Sequence, residues 1–284
     1  MIAWLGYLAA DLAVRVLPPR AADALAIALA RLAFHARLPA RRAQERNLER
    51  LLDQPPPPLV RRCARESFEH FALALGDFLR LDSLAPEALE RAVEVRGERH
   101  LAVARASGRG VVLLTAHLGN WEWGAAWLAA RGVKLHVAAR PHPSARVERL
   151  FRRRRRTWGV ATLPWHARSL GAMRALRRGE WVALMADRPT RSTPGGPGSR
   201  PAAAPPACVL AAALARRCDA LVLPAVMIHL PGRRYAACFE PARAPAGAPG
   251  SARSARGLGA ALARTLARHP GQWCAFEPAP GIPA

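Results

Sequence analysis

The chain has 284 residues, 51% of them hydrophobic, which is enough to bury a core and excludes a disordered protein. Its formal net charge is +23, from 43 basic against 20 acidic residues, and nearly all the basic residues are arginine. That balance favours an anionic partner (nucleic acid, an anionic membrane or an acidic protein), but the abundance of Ala, Arg and Pro also fits a coding bias, so charge alone assigns no function.

The N-terminus is apolar but interrupted. Residues 2–10 carry no charge, and Asp11, Arg15, Arg20, Asp23 and Arg31 follow. No stretch reaches the roughly 18–20 uninterrupted apolar residues of a spanning helix, and no basic region precedes the apolar run as a signal peptide requires. Two short amphipathic helices are expected, split at Pro18 and Pro19, with Leu25, Leu29 and Leu32 at helical spacing. Trp4 and Tyr7 are of the types that favour a membrane interface. Residues 1–38 therefore read as helices that lie on or dip into a membrane, with two ordinary packed helices as the plain alternative. Residues 39–284 read as the main domain.

Residues 40–50 are dense in charge (Arg41, Arg42, Glu45, Arg46, Glu49, Arg50) and predict an exposed helix. Pro55 to Pro58 form a stiff break. A helix from about Leu59 to Leu79 follows, with Phe68, Phe71, Leu75 and Phe78 on its apolar side. Pro86 opens another, and Val93–Val95 is a short strand. From residue 111 the patterns alternate. Strands are expected at Val111–Ala116, Val133–Ala139, Val160–Leu163, Trp181–Ala186, Ala220–His229 and Arg234–Glu240, and helices at Trp121–Arg131, Ala145–Trp158, Arg168–Arg178, Ala207–Arg217 and Ala252–Arg268. Strands separated by helices imply βαβ crossovers, hence an α/β domain with a mostly parallel central sheet flanked by helices. Pro231-Gly232 marks a turn between two antiparallel strands. Residues 188–206 are a long Pro/Gly/Ser-rich loop after a strand, a position that often carries function.

The apolar run Val111 to Ala116 ends on His117. A Gly119-Asn120 turn follows, then a helical pattern from Trp121. The histidine thus stands at the carboxyl end of a buried strand, where open α/β sheets place ligands. Glu122 falls in the first helical turn, where an acid is placed to orient an imidazole. Spacing alone is a weak signal, since a strand-end histidine is commonly structural; the strand–turn–helix context strengthens it. No G-x-S-x-G elbow, Walker A loop or G-x-G-x-x-G fingerprint is present. His136, His142, His166 and His229 show no metal-ligand spacing, and no metal is expected. The five cysteines (Cys63, Cys208, Cys218, Cys238, Cys274) form no C-x-x-C pair and read as reduced thiols. What remains is a histidine base without a protein nucleophile, which fits direct transfer to a hydroxyl of a bound acceptor.

The segment His117-Leu118-Gly119-Asn120-Trp121-Glu122 resembles the H-x4-D/E motif of the bacterial lauroyl/myristoyl acyltransferases of lipid A biosynthesis, related members of which acylate phosphatidylinositol mannosides. Further segments are similar to that family in the same order: Asn47-Leu48, Arg155 four residues before Gly159, Val182 to Arg188, Arg200-Pro201-Ala202, Leu223-Pro224-Ala225 and His269-Pro270-Gly271-Gln272-Trp273. The chain departs from the family pattern at Gly198-Ser199, where an aromatic-glycine pair is usual, at Gly271 in place of glutamate, and at Glu277 with its short tail. These departures fit a divergent branch with an acceptor other than a lipid A precursor.

The resemblance implies a membrane-associated acyltransferase on the cytoplasmic face of a bacterial inner membrane, monotopic or held by a single N-terminal anchor. Its donor is an acyl thioester on acyl-carrier protein or coenzyme A, its acceptor a hydroxyl of a (glyco)lipid such as a lipid A precursor, and it needs no cofactor. His117 is then the general base, with Glu122 or Asp187 holding the imidazole. Arg155 faces a phosphate or phosphosugar, and Asn120 and Arg188 lie on the substrate side. Oxyanion stabilisation would come from backbone N–H groups or an arginine. The rival reading is a non-enzymatic basic protein that binds nucleic acid or an anionic membrane, supported by the charge and by the run Arg152 to Arg156. Against it, the eight tryptophans are not interleaved with basic residues and no nucleic-acid motif occurs, so no nucleic-acid partner is expected.

Overall fold

A computed structural model describes residues 2–164, 170–187, 205–244 and 252–277. The strands are β1 (Val93–Arg96), β2 (Val111–Thr115), β3 (Leu135–Ala139), β4 (Ala161–Pro164), β5 (Trp181–Met185), β6 (Leu221–Leu230) and β7 (Arg234–Phe239). They form one seven-stranded sheet in the order β1-β7-β6-β2-β5-β3-β4. Every neighbouring pair is parallel except the β6–β7 hairpin, which turns at Pro231-Gly232. The expected α/β class, with a single domain and a mostly parallel sheet, is therefore what the chain adopts.

The helices are α1 (Ile2–Val16), α2 (Pro19–His35), α3 (Pro39–Leu51), α4 (Pro57–Arg80), α5 (Pro86–Arg91), α6 (Glu98–Ala106), α7 (Trp121–Ala130), α8 (Ala145–Thr157), α9 (Leu170–Arg177), α10 (Pro206–Cys218) and α11 (Ala252–Arg268). Five of them, α2, α3, α4, α5 and α10, open on proline, whose missing N–H falls where a helix has no acceptor to offer. All five residues of β2 are buried, because it lies mid-sheet with helices on both faces. Val112 and Leu114 pack into the cluster that includes α9, α10 and α11, while Val111 and Leu113 pack into the one that includes α7.

Sequence and structure differ at four places. Helix α6 was not visible as a pattern, since only Leu101 and Ala104 of its nine residues are buried. Helix α3 is not exposed all round: Ala43, Gln44, Asn47 and Leu48 are buried opposite its charged face. Arg154 is not on a solvated face. It is 2% exposed and bonds the Leu79 carbonyl, Asp11 and Asp82. Tyr7 turns inward, edge-on to Phe151. The five cysteines form no disulfide.

Helices α1 and α2 pack along α4 and leave Leu5, Leu8, Leu12, Val16, Leu25, Leu29 and Leu32 exposed. No described helix is long and apolar enough to cross a membrane. A partly buried polar network ties these helices to the sheet. Asp23 of α2 pairs with Arg80 of α4 and Arg233 of the hairpin turn, at 3.1 and 2.7 Å. Asp77 of α4 accepts from the Tyr235 hydroxyl and pairs with Arg80.

Beside Asp77, His70 and His229 approach Nδ1 to Nδ1 at 3.3 Å. Burial first, and then the neighbouring His229, push His70 down from 6.5 to about 4. The unfolded chain therefore takes up a proton at this residue near pH 6.5 that the folded chain refuses until about pH 4. Stability should fall over that window, by up to about 3 kcal/mol. Urea unfolding at pH 7 and pH 5 checks this: His70→Leu should lose less stability between the two than the wild type, and equal losses would refute it.

Candidate active site

The site grows out of the end of β2. After Thr115 the chain leaves the sheet through Ala116 and His117 and turns at Gly119, which adopts φ +60°. A Cβ at Gly119 would run into the Met227 carbonyl oxygen of β6, so the turn requires glycine. Asn120 then caps α7, its Oδ1 accepting the Trp123 N–H at 3.0 Å. The turn is fastened to its neighbours by backbone bonds: Gly119 N–H donates to Gln272 O (3.0 Å), and Asn120 N–H to Met227 O (3.1 Å).

Asp187 follows β5, the parallel neighbour of β2, and so reaches the same end of the sheet as His117. Its Oδ1 meets His117 Nδ1 at 2.9 Å and its Oδ2 accepts the His117 backbone N–H at 2.9 Å. The Trp273 indole donates to the same Oδ2 at 2.9 Å, and Cys274 N–H donates to the His117 carbonyl at 2.8 Å. Burial alone would lift the Asp187 carboxyl. The facing His117 charge and the hydrogen bonds from His117 and Trp273 outweigh burial and hold it below the ordinary carboxylate range. The stabilisation this gives is present above the unfolded carboxylate pKa and is lost as pH falls through the lower folded value. With Nδ1 donating to Asp187, Nε2 is the ring nitrogen left to accept a proton.

Of the two acids that the sequence left open, Asp187 is thus the one on the imidazole. Glu122 lies in the first turn of α7 and takes Arg155 of α8 instead, with Nε at 2.9 Å and Nη2 at 2.5 Å in a two-pronged pair. Both partners are largely buried, and the pair braces α7 against α8. Arg155 is therefore engaged by protein, and Asn120 serves as a helix cap that also lines the cleft. Arg188, the Gly198-Ser199 pair, Arg200-Pro201-Ala202 and His166 lie outside the described residues. Trp273 and Gln272 carry more of the site than the sequence indicated. The one signal for them was their place in the His269-to-Trp273 segment. The departure at Gly271 has a local counterpart, since a side chain there would collide with the Glu66 carboxylate.

His117 opens on a cleft of about 510 Å³. Tyr7 of α1, Phe71 and Phe78 of α4, Phe151 of α8 and Met185 of β5 give it apolar walls; Arg140, His142, Glu148 and Arg155 give it polar ones. Trp121 stands edge-on to the imidazole, with ring centroids 4.9 Å apart. A narrow apolar slot adjoins the cleft between α7 and the sheet, sharing Trp121, Glu122, Val137 and Met185 and running on past Gly124, Leu128 and Phe239. Among the described residues no cluster of His, Cys, Asp and Glu is arranged to hold a metal ion. The three committed backbone donors, from His117, Gly119 and Asn120, are not available to an oxyanion.

The sequence matches the family model of bacterial lipid A biosynthesis acyltransferases over residues 1–279. Among curated relatives it is similar to a phosphatidylinositol mannoside acyltransferase of Mycolicibacterium smegmatis, with 32% identity over 161 residues, 56% of this chain and 52% of the relative. It is also similar to the protein of the same name from Mycobacterium tuberculosis, with 31% identity over 150 residues, 50% of this chain and 47% of the relative. The chain spans about half the length of the curated relatives it matches. With a family match running across almost the whole chain, the protein belongs to the bacterial lipid A biosynthesis acyltransferase family.

Proposed function

We propose that the protein transfers a fatty acyl group from a thioester to a hydroxyl of a membrane phosphoglycolipid. The observation that carries this reading is the His117–Asp187 pair, buried at a strand end and opening on a cleft that adjoins an apolar slot. In the proposed reaction His117 Nε2 takes the proton of the acceptor hydroxyl. The hydroxyl oxygen attacks the thioester carbonyl carbon, the carbon–sulfur bond breaks, and the proton passes from Nε2 to the leaving thiolate. Asp187 fixes the tautomer and stabilises the imidazolium between these two transfers. The thioester is already activated, so the chemistry calls for no metal and no covalent acyl-enzyme. The apolar slot suits the acyl chain, whose burial there is worth about 0.8 kcal/mol per methylene.

The exposed leucines of α1 and α2 support docking on a bilayer, expected to be the cytoplasmic face of a bacterial inner membrane. Tyr7 lets α1 form part of the cleft wall, so lipid would enter from the membrane side. The names of the relatives favour a phosphatidylinositol mannoside as acceptor over a lipid A precursor, with coenzyme A or acyl-carrier protein as the donor's carrier. The test is to incubate the full chain with acyl-coenzyme A or acyl-carrier protein and each acceptor, and to read lipid masses. A gain of one acyl mass on a phosphoglycolipid is expected. No acyl gain on any hydroxyl lipid, with either donor, would overturn the proposal.

A further inference from the structure

The cleft has a cation that the acyl-transfer chemistry leaves unused. Four cationic or potentially cationic side chains line it: His117, Arg140, His142 and Arg155. His117 is held by Asp187, and Arg155 is largely buried with its Nε and Nη2 on Glu122. His142 accepts the Ser144 N–H on Nδ1 at 3.0 Å and sets its ring edge-on to Tyr7. Glu148, which lines the cleft together with Glu122 and Glu277, accepts the His142 backbone N–H at 2.9 Å and acts electrostatically on Arg155. Arg140 is exposed, and among the described residues it has neither an ion pair nor a side-chain hydrogen bond.

Its place in the fold puts it at the same end of the sheet as the chemistry. Arg140 is the first residue after β3, as Ala116 and His117 are the first after β2, and both strands run parallel to β5 between them. The pairing of β2 with β5 reaches Thr115↔Met185 and that of β3 with β5 reaches Val137↔Ala183, so His117 and Arg140 leave the sheet at the same end, on either side of β5, and both line the same cleft.

We infer that Arg140 is the phosphate-binding residue of this cleft, holding a phosphate while a hydroxyl of the same acceptor lies at His117. The inference deepens the acyltransferase reading and moves the phosphate contact from Arg155, which the resemblance selected, to Arg140. A guanidinium without a carboxylate partner among the described residues, open to solvent on a cleft, is the group suited to paired phosphate oxygens. The phosphate of a phosphopantetheine donor has the same chemistry, and kinetics tells the two sources apart.

The probe is glycerophosphoinositol, titrated calorimetrically into the full-length wild type, Arg140→Gln and Arg140→Lys, with myo-inositol as the phosphate-free control. Arg140→Gln should weaken probe binding roughly 10–100-fold, Arg140→Lys should restore part of it, and inositol should show no dependence on the residue. In turnover, Arg140→Gln should raise KM for the phosphoglycolipid by a similar factor and leave kcat near the wild-type value. A rise in KM for the acyl thioester alone would keep the phosphate site and assign it to the donor. Equal affinity in wild type and Arg140→Gln, or no binding by the wild type, overturns the inference. Arg140-dependent binding by a protein that transfers no acyl group would leave the phosphate site standing and sink the acyltransferase reading instead.

Discussion

His117→Ala should lower kcat for acyl transfer by roughly 10²–10⁴-fold, the range that a positioned general base supplies, in a protein that still folds. The imidazole is buried but faces the cleft, and the backbone bonds of its turn do not involve the side chain. Asp187→Asn should come close to the same loss by a different route. An amide in place of Oδ1 can present N–H₂ to the ring, which then accepts on Nδ1 and carries its proton on Nε2, where it is no use as a base. If the two residues act as a unit, His117→Ala/Asp187→Asn will be little worse than either single variant. Single-turnover rates with matched thermal unfolding curves decide the matter. Undiminished turnover by folded His117→Ala would sink the mechanism. A double variant showing the product of the two losses would show the residues acting separately.

Glu122→Ala should show its effect in stability. The substitution strands the Arg155 guanidinium in a largely buried site without its counter-charge, a loss of about 3–5 kcal/mol, or a fall in Tm of about 10 °C for a chain of this size. The paired replacement Glu122→Leu/Arg155→Met removes both charges and should recover most of that, because two apolar groups leave nothing buried and unpaired. Differential scanning calorimetry of the three proteins forms the cycle. The comparison also separates two roles for Glu122. A variant that keeps its Tm but loses turnover as steeply as Asp187→Asn would put Glu122 back on the imidazole.

The sheet was legible because its strands are short apolar runs between helical patterns, and the observed strand ends lie within two residues of those expected. The candidate base was legible for the same reason, His117 being simply where a buried run stops. Its partner was not. Glu122 is near in sequence, but the cap at Asn120 starts a helix whose first turn carries Glu122 toward α8. Asp187 is 70 residues away and arrives through β2–β5 pairing, which no local spacing encodes. Arg154 shows the same limit. A run of five arginines looks like a solvated face, and only the tertiary arrival of Asp11 and Asp82 permits one of them to be buried. Glycine at 119, by contrast, could be read from sequence as a turn, while the carbonyl that forbids any other residue there belongs to a strand more than a hundred positions on.

The segment Gln272 to Cys274 closes the site, and it is made late. Asp187 waits 86 residues for the Trp273 indole, and Gly119 waits longer for the Gln272 carbonyl. Synthesis runs from the N-terminus, so a growing chain displays the histidine turn, and then its acid, well before the residues that lock either in place. Until that segment arrives, the His117–Asp187 geometry lacks three of its fastenings, the contacts from Gln272, Trp273 and Cys274. A ribosome-bound chain stalled between residues 187 and 272 would then be a poor esterifying catalyst even if its sheet had begun to assemble. Completion of the site thus rests on contacts made by residues near the end of the described chain.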